Sequence, residues 1–464
     1  MRSFITIIVV CILLLAGCNP VLQRSRITLP QRYAYIGENY TDSATLQEEW
    51  WHIFGDSILN RLIATALERN RDIAIAASRI EEARAQIKVA RSQFLPSFSL
   101  GLGAGASDTG QSSIVQDYTI ERSIAWEVPL FGSLRHTTAQ ARAAAKYAEW
   151  QYRGVRLSLA AEVATTYFTL LQYRRELEIA IQSSALRRES AILIDSIYQR
   201  GMASGVNREQ AYSLVYTAEA DIPLYERAVR STLISLNVLL GAQPDTLMSV
   251  QWPLQLIEDY RRIDIPVGIP SDLMHRRPDI MEAYYQMEEA AASVGVARSN
   301  RLPSIALTAN GGIAAPNLNK LFTTNAMFWK TLASLSQPIL QFGGLRRQEM
   351  AARERYKQAM LQYEQSFDTA LSEVETALMS IETYRRETAR YRELIESSSR
   401  ITDMTNALYR SGMSAYLDVI DAERTLYNSK MQYSVLVAQQ YINYVDLCKA
   451  LGGSWTEDVK NSYR

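Results

Sequence analysis

The chain carries one pattern twice, and this repeat constrains its fold more than any other feature. Ala90-Arg91-Ser92-Gln93-Phe94-Leu95-Pro96-Ser97 returns as Ala297-Arg298-Ser299-Asn300-Arg301-Leu302-Pro303-Ser304. Upstream, Asp72-Ile73 lies 207 positions before Asp279-Ile280. Downstream, Phe131-Gly132, Tyr198, Gly201-Met202 and Leu240-Gly241 each lie 211 positions before Phe342-Gly343, Tyr409, Gly412-Met413 and Leu451-Gly452. A few residues are therefore gained in the second hairpin region. A unit of about 200 residues is far longer than solenoid periods of about 20–50. Two intimately paired halves are expected, rather than an array or two independent globules.

After each copy of the octapeptide the pattern has period two. Phe98, Leu100, Leu102, Ala104 and Ala106 alternate with Ser97, Ser99, Gly101, Gly103, Gly105 and Ser107. Beyond a polar turn at 108–113, Tyr118, Ile120, Ile124, Trp126 and Val128 alternate with Thr119, Glu121, Ser123, Ala125 and Glu127, Arg122 being the exception. The second half repeats this with Ile305, Leu307 and Ala309, a loop from Pro316 to Asn325, and a return from Trp329 to Pro338. Runs of about ten residues with one apolar and one Ser/Gly face suit membrane β-strands around a watery lumen. Two hairpins cannot close a barrel, and lipid does not tolerate an open sheet edge. Such strands require a homo-oligomer.

Long helices follow each hairpin. Leu345 to Ser411 contains neither Gly nor Pro, and Ser133 to Arg200 contains only Gly154; at about 1.5 Å per residue each makes a helix of roughly 100 Å. Leu159, Val163, Leu170, Tyr173 and Leu177 are spaced as in a coiled-coil seam. Each run should stop at a left-handed glycine, Gly201 or Gly412, and return as a helical hairpin, with Pro223 kinking the first return. Helical periodicity also runs from Trp50-Trp51 to about Ser92, and Pro278 suits the first turn of the second copy of that segment.

At the N-terminus, Arg2, an apolar run from Phe4 to Leu15 and Leu15-Ala16-Gly17-Cys18 read as a signal peptide with a lipobox-like end. Cys18 is the expected lipidation site, its acyl chains (palmitate among them) holding the mature chain to a membrane at about 0.8 kcal/mol per buried CH₂. Asn19, in place of an Asp, favours the outer membrane. Cys11 leaves with the signal, so Cys448 has no partner and reads as a core residue near a helix end. Lys+Arg and Asp+Glu are equal at 49 each, which argues against nucleic-acid binding. Three scattered histidines offer no metal site, and no nucleophile–base constellation or phosphate loop is present, so no enzyme, metal or cofactor is expected.

Pro266-Val267-Gly268-Ile269-Pro270-Ser271-Asp272-Leu273, running into Arg276-Arg277-Pro278-Asp279-Ile280, resembles the signature of the TolC-like outer-membrane factors, in particular the lipoprotein branch of tripartite efflux pumps. Trp50-Trp51, Phe54, Asp56, Leu59, Leu62 and Asn70 resemble the opening of the same branch. The resemblance implies an α+β membrane protein: a homotrimeric, 12-stranded outer-membrane β-barrel, four strands per protomer, continuous with a periplasmic α-helical coiled-coil barrel. Implied partners are a periplasmic adaptor (membrane-fusion) protein, an inner-membrane pump of the RND type and outer-membrane lipids. The tips Gly201-Met202 and Gly412-Met413 would dock the adaptor. Asp421 and Leu417 match residues lining a periplasmic gate, with Asp418 one helical turn away, and Tyr409 and Asn207 match a hydrogen-bonded latch; Asn207 and Ser414 stand where some members carry Asp. The expected segments are a signal at 1–17, a tether at 18–49, repeats at 50–241 and 272–453, a connector at 242–271 and a tail at 454–464. A duct for type I protein secretion and a membrane-spacing coiled-coil lipoprotein are the alternatives.

Overall fold

The computed structural model describes residues 27, 30, 32–35, 49–108, 114–243, 263 and 270–453. Cys18, the connector motif up to Ile269 and the tail lie outside the described residues. A 3₁₀ turn at Trp50–Phe54 leads into α1 (Ser57–Arg69), α2 (Arg71–Ser92), β1 (Ser97–Asp108), β2 (Ile114–Val128), α3 (Ser133–Gln199) and α4 (Gly205–Leu239). After 270 come a 3₁₀ turn (Pro270–Asp272), α5 (Leu273–Arg276), α6 (Pro278–Ser299), β3 (Ser304–Ala315), β4 (Met327–Ser336), α7 (Gly344–Arg410) and α8 (Tyr416–Ala450). Matching elements have matching lengths: α3 and α7 have 67 residues each, and α4 and α8 have 35 each. No described helix is long and apolar enough to cross a membrane. The chain divides into two compact units, and both cut across the repeat: Ser78–Trp150 with Met281–Ser366, and Thr28–Ala77 with Gln151–Ile280 and Phe367–Arg464.

The first unit holds the sheet, ordered β1-β2-β3-β4 and antiparallel throughout. Its register sorts the alternating residues as expected, with Phe98 opposite Ile124 and Leu102 opposite Ile120 on one face, and Ser99 opposite Ser123 on the other. Phe98 and Trp329 are 75% and 81% exposed on the apolar face. Arg122 lies on that face too, between Leu100 and Gly311. The strand ends are tied to the helices. Trp126 Nε1 donates to the Phe94 carbonyl (3.0 Å), and Gln337 Nε2 donates to the Arg301 carbonyl (3.1 Å). The last strand is Met327–Ser336, ending before Pro338, and the loop before it contains 3₁₀ turns at Leu318–Lys320 and Thr324–Ala326.

The second unit is built on an aromatic core, with Phe168 stacked on Tyr441 at 4.9 Å and Phe54 tilted against both. Asp56 caps α1 through the Ile58 amide (2.8 Å) and also accepts the Tyr167 hydroxyl. The helix expected from Trp50 to Ser92 is broken at Asn70. Its Oδ1 takes the Asp72 amide (2.8 Å), so it caps α2, while its Nδ2 donates to the Leu239 carbonyl at the end of α4 (2.9 Å). In the second half Arg277 repeats the contact to the returning helix, donating to the Ala450 carbonyl (2.9 Å), and in place of the cap it donates to the Asp279 carboxylate (2.7 Å). Gly241 and Gly452, both at positive φ, rest on the backbones of Arg69 and Arg276, where an added Cβ would sit 2.6 and 2.9 Å away. Pro278 opens α6 as expected, and Pro223 lies within α4, the first return. Cys448 is fully buried near the end of α8.

Candidate functional site: the helical-hairpin tips

Both tips use one backbone device. At the first, Gly201 (φ 75°) donates to the Tyr198 carbonyl (2.8 Å) and Met202 to that of Ile197 (3.1 Å). At the second, Gly412 (φ 75°) donates to Tyr409 (2.9 Å) and Met413 to Leu408 (2.9 Å). These paired bonds terminate a helix through a left-handed residue, a conformation that costs glycine least. Past each turn Met202 and Met413 are 69% and 72% exposed, with no core to fill.

The returning helices start differently. Ser204 caps α4 by accepting the Asn207 amide (3.1 Å). Ala415, at the start of α8, has no capping oxygen; Asp418 reaches back instead, accepting from the Ala415 amide (3.2 Å) and the Ser414 hydroxyl (2.6 Å). A carboxylate in the first turn also complements the helix dipole. Asp421, one turn on, pairs with Arg424 at 2.7 Å, and Leu417 beside them is half exposed. The carboxylates are thus exposed, but each already has a partner in its own chain. Tyr409 packs on Tyr416 at 5.1 Å, and among the described residues no hydrogen bond joins it to Asn207.

Above the tips, Ala191, Ile194, Ala211, Val215, Tyr416, Val419 and Ile420 form one buried cluster joining α3, α4 and α8. Polar contacts absent from the sequence reading reinforce it. Arg187 is almost wholly buried, donates to the Leu214 carbonyl (3.2 Å) and lies 4.6 Å over the Tyr427 ring, while the Tyr427 hydroxyl donates to Asp221 (2.6 Å). Burial and Asp221 push the Tyr427 hydroxyl pKa up. Burial likewise raises Glu423, although Arg187 and Asn406 pull the other way. Arg187, Glu423 and Tyr427 border an open cleft of about 720 Å³ with Asn406, Tyr409 and Tyr416. Such contacts join residues as much as 206 positions apart, so no local spacing announces them. Glu176, deeper in α3, has no signal in the sequence either; it accepts a hydrogen bond from Gln172 (3.1 Å), and burial raises its pKa to about 7.

A family model described as outer membrane efflux protein matches residues 62–242 and 269–453, once in each half. The chain belongs to the outer membrane efflux protein family. This efflux protein is 31% identical to the probable efflux pump outer membrane protein TtgC of Pseudomonas putida, over 93% of its own length and 90% of the relative's. It is 27% identical to the probable outer membrane lipoprotein SilC of Salmonella typhimurium, over 96% and 98% of the two chains. Its fold matches the Campylobacter jejuni CmeC outer membrane channel with a TM-score of 0.86 at 22% identity, over 96% and 97% of the chains. CusC, described as forming a transmembrane channel, matches with a TM-score of 0.83 at 25% identity, over 94% and 99%. The efflux protein is thus a transport protein of the outer membrane, as its resemblance implied.

Proposed function

We propose that three copies of this chain form the exit duct of a tripartite efflux system. Each protomer supplies two related halves. Its four strands close with those of its neighbours into a 12-stranded barrel, and its long helices line a periplasmic tunnel. Acylated Cys18 anchors each chain, and the duct conducts small molecules without chemistry of its own. Energy comes from an inner-membrane pump of the RND type, reached through a periplasmic adaptor that docks on Gly201-Met202 and Gly412-Met413.

The observation that carries this reading is the sheet. It has two free edges, a mostly apolar face and a mostly polar face on which Ser, Gly and Thr stand with Glu121, Glu127 and Lys330, and an open sheet of that kind is stable in lipid only when copies close it. At the turn of the second helical hairpin, Asp418, Asp421 and Leu417 stand exposed on one helix start. Brought together by threefold symmetry, they form rings that favour cations and narrow the mouth. Tyr409 and Asn207 flank this mouth as latch positions, and the duct opens as a population shift toward the state that the adaptor binds better.

Planar-bilayer recording tests the reading. The wild type is expected to conduct weakly and to prefer cations, and Asp418→Ala with Asp421→Ala to raise basal current or weaken that preference. Unchanged currents would remove the gate assignment; absence of conductance in both would remove the duct.

A further inference from the structure

We propose that the free edge of β4 in one copy pairs with the free edge of β1 in the next in one defined antiparallel register: Ser336 opposite Gly101, Leu335 opposite Leu102 and Ser334 opposite Gly103. This rests on the barrel reading above and gives it a residue-level interface.

Within the chain the two halves already meet in such a ladder, β2 against β3, from Val128 with Ile305 to Tyr118 with Ala315. Contacts fix which strands correspond. Ser97 faces Ala125 in the first hairpin and Ser304 faces Ser336 in the second. The side chains of Trp126 and Gln337 make the same bond to the carbonyls of Phe94 and Arg301. So β4 repeats β2, β1 repeats β3, and the β2–β3 ladder can be carried onto β4 and the next β1. Ala125 with Thr308 becomes Ser336 with Gly101, and Ser123 with Asn310 becomes Ser334 with Gly103.

Three further observations agree. The β1 ladder stops at Ala125, and from there to Val128 β2 is paired with β3 alone. β4 stops at Ser336, the repeat of Ala125, and the next residues, through Ile339 at 92% exposure, have no second neighbour. The faces also agree: Leu335 and Leu102 share the apolar side, and a slip of one residue would put Leu against Ser and Gly. Finally, a Cβ on Gly312 would overlap the Ile120 carbonyl across the β2–β3 ladder, and the repeat of Gly312 on β1 is again a glycine, Gly105.

Disulfide trapping tests the register. Gly101→Cys is a mild change, since a Cβ there meets nothing nearer than 4.0 Å. In one chain β1 and β4 are three strand spacings apart, about 14 Å, beyond the reach of a disulfide. Outer membranes carrying Gly101→Cys with Ser336→Cys, oxidised and run without reductant, are expected to show cross-linked dimer and trimer. Gly101→Cys with Ser334→Cys or with Pro338→Cys should give under about a tenth of that yield. Higher yield from either flanking pair overturns the register while the closed ring stands. No cross-link from any pair overturns the interface; the mass of the detergent-purified wild type then decides the ring, which a single-chain mass would overturn as well. Single-cysteine variants set the background.

Discussion

Asn70 and Arg277 occupy the same place in the two halves and hold it by different means. Each ties the start of one helix to the last carbonyls of a returning helix, but Asn70 does so with neutral hydrogen bonds and Arg277 with a buried guanidinium. Arg277 also reaches Glu373 of α7 at 2.7 Å; Asp279 and Glu373 keep its pKa above the ordinary arginine value against the effect of burial. The joint survives a change of chemistry as long as one side chain donates to the same carbonyl. Its strength is what changes, because charge-assisted bonds are roughly twice as strong as neutral ones and a buried charge is costly to strand.

The largest effect should come from breaking the charged joint. Arg277→Ala takes the guanidinium from the Ala450 carbonyl and from the carboxylates of Asp279 and Glu373 and should cost about 2–3 kcal/mol, both carboxylates being half exposed; denaturant unfolding in detergent measures it. The next comparison sets Glu176 against its repeat, the exposed Glu387. With a pKa near 7 when folded and an ordinary value when unfolded, Glu176 binds its proton more tightly in the native state. It therefore costs little below pH 4.5 and destabilises increasingly as pH rises to about 7. Glu176→Gln should stabilise by about 1–2 kcal/mol at pH 8 and by nearly nothing at pH 4, while Glu387→Gln changes neither. Asn70→Ala should cost about 1 kcal/mol, less than Arg277→Ala; an equal or larger cost would show that charge adds nothing to the joint. The smallest effect should come from the tips. Asn207 and Gln210 are the repeats of Asp418 and Asp421, and Asn207→Asp with Gln210→Asp should increase cation preference in bilayer recordings by less than about twofold, because these residues add to charge already present.

The elements were legible because local chemistry sets them. Proline and the left-handed glycines delimit the long helices, and alternation marks the four strands. The break at Asn70 was not legible, since apolar periodicity persists across it and the side chain that interrupts it is held from 169 positions away. At the tips the glycines and methionines are readable, and so is the i, i+3 spacing of Asp421 and Arg424, but spacing alone does not say that the pair forms. The Arg187–Tyr427–Asp221 contacts belong to tertiary packing that no window of sequence contains.

The unpaired edges of β1 and β4 also bear on how the protein is made. A solitary chain presents two rows of free backbone groups on an apolar sheet, so before it meets its neighbours it is a template for wrong pairing. If three chains must meet to hide those edges, productive assembly depends steeply on local chain concentration, while misassembly needs only two. Pro338, which lacks an amide hydrogen, stands two residues beyond the end of β4, where it limits how far a wrong partner can zip. Yield should therefore respond to delivery rate and escort in the periplasm more than to the stability of the single folded chain.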